Sequence, residues 1–403
     1  MLSLDQVYQA SYALKDVIRP TDLIRAKDIN PESQIYLKTE NLQITGSFKI
    51  RGSYYKISQL SDEEKSKGVV ACSAGNHAQG VALAATKAGI NSLICLPDSA
   101  PISKVQATKK YGADVKLVKG CYDDAYAEAI RLEKENGYTL IHPFDDPHVI
   151  AGQGTIGLEL LDQLPDLDAV IVPIGGGGLI SGIAFAIKSL NPNVKVYGVQ
   201  ASGAPSMLDS VNDNEVKSLK QVSTVADGIA VKKPGKLTFD MCNKYVDDIV
   251  TVTDDEISTA ILTLMEQQKL VTEGAGAVAV AAAMFNKFPI KGKKVVCLLS
   301  GGNIDVTILS RVIQRGLRTS GRTYAVNIEL VDKPGQLRDV SSIIADLGAN
   351  VVSVLHERSN EASDINGCYL RLVLETKNFE HIEEIKQALI EAGYNISPML
   401  CTN

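Results

Sequence analysis

Short runs of β-branched and other apolar residues alternate with helix-period patterns through the first three quarters of the chain. Residues 68–72 read as a buried strand, and a helix pattern follows over 78–88. A strand at 92–96, a helix at 102–111, a strand at 114–118 and a helix at 122–135 repeat the theme. Strands at 168–173 and 195–199 flank a helix at 179–189, and 294–299 is one more strand. Strands without polar alternation, separated by helices, predict an α/β fold whose parallel sheets are covered on both faces. The longest apolar run, the alanine-rich segment 275–285, is too short to span a bilayer and reads as a buried helix. After Arg315 the pattern changes. Residues 316–323 are basic and glycine-punctuated, which suits a linker. Beyond them the order is strand (324–331), helix (336–347), strand (350–357), strand (368–375), helix (379–392) and strand (396–400). That βαββαβ order predicts a ferredoxin-like α+β domain.

Composition narrows the function classes. The 403 residues are 45% hydrophobic and 22% charged, with a net charge of −6 and no tryptophan. No block of lysines and arginines stands out, so neither nucleic acid nor a membrane is an expected partner. Seven scattered cysteines (Cys72, Cys95, Cys121, Cys242, Cys297, Cys368 and Cys401) form no C-x-x-C pair. Such spacing fits reduced thiols in a cytoplasmic protein rather than disulfides or zinc. The five histidines show no metal-ligand spacing. The start, Met1-Leu2-Ser3-Leu4-Asp5, lacks a basic segment followed by an apolar run, so no signal peptide is expected.

Four segments carry candidate chemistry. Thr45-Gly46-Ser47-Phe48-Lys49-Ile50-Arg51-Gly52 sets one lysine between apolar neighbours, which lower an amine pKa toward the nucleophilic neutral form. Its simpler reading is a surface lysine whose stem lies on Phe48. Ser73-Ala74-Gly75-Asn76-His77-Ala78-Gln79-Gly80 follows a strand and opens a helix. It offers a hydroxyl, an amide, an imidazole and free N–H groups to a carboxylate, or else a helix cap from Ser73 or Asn76. Gly175-Gly176-Gly177-Gly178 stands between strand and helix, where four glycines let the backbone approach a phosphate. The G-x-G-x-x-G spacing fails and no G-K-[ST] follows, so a dinucleotide or nucleotide loop is excluded. Ser300-Gly301-Gly302-Asn303 ends another strand. Its serine can serve a pyridine nitrogen or a local turn.

In this order the four segments resemble the fold-type II pyridoxal-phosphate enzymes, built from two α/β lobes as in the tryptophan synthase β fold. The likeness is strongest to the threonine dehydratase (threonine ammonia-lyase) family, in its short catabolic-type branch. It runs from about residue 5 to 315 and takes in Asp145-Asp146-Pro147, Ala151-Gly152-Gln153-Gly154-Thr155, Ala226-Asp227-Gly228 and Thr272-Glu273-Gly274-Ala275-Gly276. The resemblance implies that Lys49 carries the cofactor as a Schiff base and later moves the Cα proton. Phe48 would pack beside the ring, and Asn76 would bond its 3′-oxygen. Gly175, Gly176, Gly177 and Gly178 would cradle the phosphate, and Ser300 would hold the pyridine nitrogen. Ser73, Asn76 and His77 would lie in the loop that receives the substrate carboxylate, with Gly228 and Glu273 at the pocket's border.

Two departures narrow the reaction. Serine racemases of the family carry a serine where Ala74 stands, and alanine has no proton to give a second face. Their divalent-cation ligands correspond to Gln200 and Ser206, so no divalent metal is expected, while a monovalent cation held by carbonyls stays open. The C-terminal βαββαβ unit, with Asp332-Lys333-Pro334-Gly335-Gln336-Leu337 after its first strand, resembles the ACT domain, a module that binds amino acids between copies. Gly335, Gln336 and Leu337 are its candidate effector residues. The expected organisation is a catalytic domain over 1–318 with a small lobe near 52–150, a linker at 319–323 and an ACT domain over 324–403. The resemblance implies β-elimination of L-threonine to 2-oxobutanoate and ammonia, weaker turnover of L-serine, and a homo-oligomer, dimer or tetramer. An amino acid or a nucleotide would be the effector. Serine dehydratase, serine racemase and a silent amino-acid sensor are the alternatives.

Overall fold

The computed structural model describes residues 2–358 and 367–398. Contacts divide the chain into two units, Met1–Ile308 and Leu309–Asn403. The division lies ahead of the expected boundary at 318. The helix Val306–Thr319 and the strand that starts at Thr323 each take one end of the anticipated 319–323 linker, leaving residues 320–322 between them.

The first unit holds two sheets. Its strands in chain order are β1 (Leu23–Arg25), β2 (Gln34–Lys38), β3 (Val69–Cys72), β4 (Ser92–Pro97), β5 (Asp114–Val118), β6 (Thr139–Leu140), β7 (Ala169–Pro173), β8 (Lys195–Ala201), β9 (Asp248–Val252) and β10 (Lys294–Leu298). The larger sheet has the order β1-β2-β10-β7-β8-β9, parallel except for the β1–β2 pair. The smaller one, β5-β4-β3-β6, is parallel throughout. Every residue of β3 and β7 is buried, because helices cover both faces. The core over the smaller sheet runs from Ile50 to Ile141 and includes Val69, Val81 and Ile94. The alanine-rich run forms the helix Gly274–Met284, buried through Ala283.

Sequence periodicity gave no sign of the helix Pro147–Gln163, which is buried along most of its length. Its glycines explain both the missing amphipathic stripe and the packing. A Cβ on Gly152 would lie 2.6 Å from the Arg51 carbonyl oxygen, and one on Gly182 would lie 2.3 Å from that of Ile150. These backbones therefore pack closer than any side chain permits, and the helix Lys49–Ser58 is held against Pro147–Gln163.

Behind that contact lies a buried ion network. Arg51, fully buried, donates Nε and Nη2 to the two oxygens of Glu40 at 2.8 Å each and pairs also with Glu159. Lys38 Nζ reaches Glu159 Oε2 at 2.6 Å, Gln163 Oε1 at 2.9 Å and the Thr21 carbonyl at 2.8 Å. Burial alone would raise the Glu40 pKa, but the Arg51 charge and hydrogen bonds hold it below the ordinary carboxylate value.

The second unit has the expected βαββαβ order: β11 (Thr323–Val331), the helix Gln336–Asp346, β12 (Asn350–Glu357), β13 (Gly367–Glu375), the helix Phe379–Glu391 and β14 (Asn395–Pro398). Its sheet is antiparallel with order β12-β13-β11-β14. Alternate residues of β13 are buried, as befits a sheet with one face on a core. The expected last residues of the final strand, 399–400, and Cys401 lie outside the described residues. The other six cysteines are free thiols. No helix among the described residues is long and apolar enough to cross a membrane.

Candidate active site

Three of the four chemical segments are hydrogen-bonded into one junction, and the fourth stands one residue away. Ser47 and Gly301 form an antiparallel bridge. Phe48 N donates to Ser300 O at 3.1 Å, and Gly302 N donates to Gly46 O at 2.8 Å. The turn at the end of β10 is thereby zipped to the loop that delivers Lys49 at the start of its helix. The Asn76 side chain enters from the small lobe. Its Nδ2 donates to Glu273 Oε1 at 2.7 Å, and its Oδ1 accepts from Asn303 Nδ2 at 2.8 Å. Pro143–Phe144 links Lys49 to the glycine loop. Lys49 Nζ donates to Pro143 O at 2.8 Å, and a Cβ on Gly178 would lie 2.7 Å from Phe144 O.

The surroundings of Lys49 bring its amine closer to the neutral form than an ordinary lysine. Its carbonyl partner is uncharged, and the ammonium lies 5.3 Å from the Phe48 ring centroid. Burial lowers the amine pKa from 10.5 to about 8, against an opposing pull from the Glu273 carboxylate. Burial likewise raises the Glu273 pKa to about 7, helped by Asp227 and opposed by the Asn76 hydrogen bond. Gly228 makes room for this carboxyl: a Cβ there would stand 3.2 Å from Glu273 Oε1.

The glycine loop starts the helix Gly178–Leu190. Gly177 takes φ +97°, open to glycine, and no side chain caps the helix N-terminus. Its first N–H groups have no intrahelical acceptor, and the helix dipole adds positive potential, which together suit a phosphate. Ser300 is buried, and the hydrogen bond of its hydroxyl, to Ala275 O, is long at 3.3 Å, so that hydroxyl is available for a ring nitrogen. Ser47 Oγ, beside Lys49, is buried without a partner. A Cβ on Gly75 would meet nothing within 4 Å, which marks open space at the turn. A lowered lysine, an uncapped glycine-rich helix start, an available serine and an orphaned hydroxyl fit pyridoxal phosphate.

The turn after β3 departs in detail from its sequence reading. Gly75, not Ser73 or Asn76, occupies the N-cap of the helix Asn76–Lys87, and no side chain caps it. Ser73 Oγ accepts from Gly75 N at 3.1 Å, which leaves its O–H free to donate. His77 is buried, and its Nε2 lies 2.7 Å from Ile141 O. A carbonyl only accepts, so Nε2 carries the proton, and burial with nearby Lys49 lowers the ring pKa to about 3. The neutral imidazole thus spends its one N–H inward, and what His77 offers a carboxylate is its backbone N–H. Gln200, at the racemases' cation-ligand position, accepts from Met207 N and Leu208 N and caps the helix Ser206–Asn212. Sequence reasoning placed Glu273 at the border without a partner and gave Asn303 no separate role. Both touch Asn76 directly, a contact between residues far apart in the chain.

Comparison with known proteins agrees with this geometry. Residues 14–301 match the family of pyridoxal-phosphate dependent enzymes, and residues 324–391 match the ACT domain. An L-threonine ammonia-lyase of Thermotoga maritima is 51% identical over 398 residues, covering 98% of this chain and 99% of that protein. The processed form of threonine deaminase isoform 2 from Solanum lycopersicum superimposes with a TM-score of 0.73 at 39% identity, over 77% of this chain and 88% of that one. Maize serine racemase gives a TM-score of 0.74 at 35% identity, over 79% and 98%. The chain belongs to the pyridoxal-phosphate-dependent enzymes of fold-type II and carries a C-terminal ACT domain.

Proposed function

We propose that this enzyme is a threonine ammonia-lyase that converts L-threonine to 2-oxobutanoate and ammonia, with weaker turnover of L-serine to pyruvate. The bound cofactor supplies an electron sink for an amino acid held through its amine. The protein's residues do the rest. Lys49 anchors the cofactor, then accepts the Cα proton, and the lowered amine pKa suits it to both tasks. Gly175–Gly178 and the helix they start hold the phosphate, Ser300 hydrogen-bonds the ring nitrogen and Asn76 the ring oxygen. The Ser73–His77 turn receives the substrate carboxylate on its hydroxyl and backbone N–H groups. A serine at the ring nitrogen, in place of an acid, suits elimination, which needs only modest carbanion stabilisation.

The observation that carries the reading is the near end-to-end likeness to a threonine ammonia-lyase, both domains included. Serine racemase is the rival with a specific observation behind it, the similar superposition of the maize enzyme. Ala74 weighs against it, because its methyl has no proton to give where racemases of the family carry serine. Steady-state turnover of L-threonine, L-serine and D-serine decides. Faster turnover of L-serine, or formation of D-serine, would overturn the threonine assignment.

The second unit supports effector binding and self-association. A cavity of about 370 Å³ is lined by Asp332, Gly335, Gln336, Leu337, His356 and Arg358. Gly335, at φ +98°, is the N-cap of the helix Gln336–Asp346, so the first N–H groups of that helix face a carboxylate site. Arg358 Nε lies 3.0 Å from Asp332 Oδ2, a pair that can open to take the two charges of a free amino acid. Edge strand β12 exposes Val352, Val354 and Leu355, which fits pairing with a second copy. Calorimetry of the whole enzyme with isoleucine, valine and AMP tests the effector. Binding that survives Arg358→Ala would move it to another site, and no heat with any of them would leave the domain only a role in assembly.

A further inference from the structure

The Asn76 amide sits in a chain of hydrogen bonds whose polarity is set at one end. Asn303 Nδ2 donates to Thr45 O at 2.7 Å and to Asn76 Oδ1 at 2.8 Å. A backbone carbonyl can only accept, so the amino group of Asn303 must face it. With both its hydrogens committed, that amino group presents a donor to Asn76, which answers with Oδ1. Asn76 then turns Nδ2 to Glu273 Oε1 at 2.7 Å and keeps one N–H free. The flipped amide would face amino group to amino group at Asn303 and carbonyl to carboxyl oxygen at Glu273. The contact at Asn303 is repulsive in either state of Glu273, and the one at Glu273 is repulsive when that carboxyl is ionised, so one orientation survives.

Two glycines give this chain its space. A Cβ on Gly46 would stand 2.3 Å from Asn303 Oδ1, and one on Gly301 would stand 2.5 Å from Glu273 Oε1 and 3.1 Å from Asn76 Nδ2. The glycines of the two zipped loops thus admit a carboxyl–amide–amide relay that spans the lobes. Asn76 comes from the small lobe, and Glu273 and Asn303 come from the large one.

We propose that Asn303 and Glu273 are positioning residues that fix the Asn76 amide with its remaining N–H toward the cofactor's ring oxygen. The proposal rests on the assignment of Asn76 to that oxygen. An N–H there favours the ionised ring oxygen; a carbonyl there would favour the protonated one. The relay therefore sets which protonic form of the lysine-linked cofactor prevails, and with it the balance of its absorption bands.

The test uses the full-length apoprotein titrated with pyridoxal phosphate, read as cofactor affinity and as the pH dependence of the absorption bands. Asn303→Asp keeps the shape but turns donors into acceptors, so Asn76 must flip. The bands shift toward the protonated form, and affinity falls about tenfold, the scale of one buried hydrogen bond. Glu273→Met, which offers no acceptor, shifts the same signal, whereas Glu273→Gln can still present an oxygen and stays within about twofold in affinity. In an Asn76→Ala background Asn303→Asp adds nothing, because it acts through Asn76, and Glu273→Met adds only the direct effect of its lost charge on Lys49, the same as Glu273→Gln adds there. Should Asn303→Asp lose its fold by circular dichroism, Glu273→Met against Glu273→Gln decides alone. An Asn76→Ala protein with unchanged affinity and bands would remove Asn76 from the cofactor, a failure of the underlying assignment. A shift in Asn76→Ala with none in Asn303→Asp or Glu273→Met, or equal shifts with and without Asn76, would overturn the relay.

Discussion

Lys49 and Arg51 stand two residues apart at the start of one helix, and the protein treats their charges in opposite ways. Arg51 is buried with the Glu40 carboxylate and also pairs with the half-buried Glu159, and its pKa is raised despite burial because those charges more than offset the lost solvent. Lys49 is given a carbonyl and an aromatic ring for company, and its amine pKa falls to about 8. Burial acts on both. What decides the outcome is whether compensating charge is buried alongside. One basic group is locked as a permanent cation that ties strand to helix. Its neighbour is left able to lose its proton, which a nucleophile and base requires.

The largest test of this contrast is Lys49→Ala. The visible band of lysine-bound cofactor should vanish and turnover should fall by about 10⁴-fold or more. Stability in urea should hold or rise, since a poorly compensated buried amine is removed. Turnover within tenfold of the wild type would end the catalytic assignment. Arg51→Met should do the reverse, leaving the buried Glu40 carboxylate without its main partner while Glu159 keeps Lys38. The expected loss is about 3–5 kcal/mol in urea unfolding. A loss below about 1 kcal/mol would mean the network behaves as a solvated surface cluster.

The sequence made one side of this contrast legible and hid the other. Lys49 could be singled out because its apolar neighbours and the downstream glycine and serine segments are local patterns. The strand–helix alternation was visible for the same reason: β3, β4, β5 and β7 fall within two residues of where apolar runs place them. Arg51 gave no signal, because its partners lie 11 and 108 residues away and only the folded chain brings them together. The helix Pro147–Gln163 was hidden by its own burial, since glycines and apolar residues all round leave no 3.6-residue stripe. His77 shows the converse error. A ring in a binding loop looked available, yet its one N–H is spent on Ile141 O.

A smaller effect sharpens the Lys49 half. Trapping of pyridoxal phosphate by the apoprotein requires the neutral amine, so its rate should climb with pH and level off above about 8 rather than near 10.5. At pH 7 that shift exposes about 300-fold more neutral amine than an ordinary lysine. The carboxylate of Glu273 works against it, so Glu273→Gln should move the inflection further down, by less than about one pH unit. An inflection near 10.5 would show that the amine is solvated. One that rises in Glu273→Gln would reverse the sign assigned to the carboxylate.

The smallest expected effect belongs to a third kind of pair. Lys104 Nζ lies 2.6 Å from Asp227 Oδ2 and joins a small-lobe helix to the loop beside Glu273. Asp227 is 62% exposed, so solvent and salt screen the attraction and the ordered side chains cost entropy. Asp227→Asn should therefore change stability by less than about 1 kcal/mol, against the several expected of Arg51→Met. Its clearer trace should be electrostatic. The Asp227 carboxylate helps to hold the Glu273 pKa up, so its removal lowers that pKa and leaves more Glu273 ionised at neutral pH. An ionised Glu273 in turn raises the Lys49 pKa, and the pH at which the apoprotein traps the cofactor should shift slightly upward, opposite to Glu273→Gln. Opposite shifts would show that Asp227 acts through Glu273. Shifts of the same sign would mean that it acts on Lys49 directly.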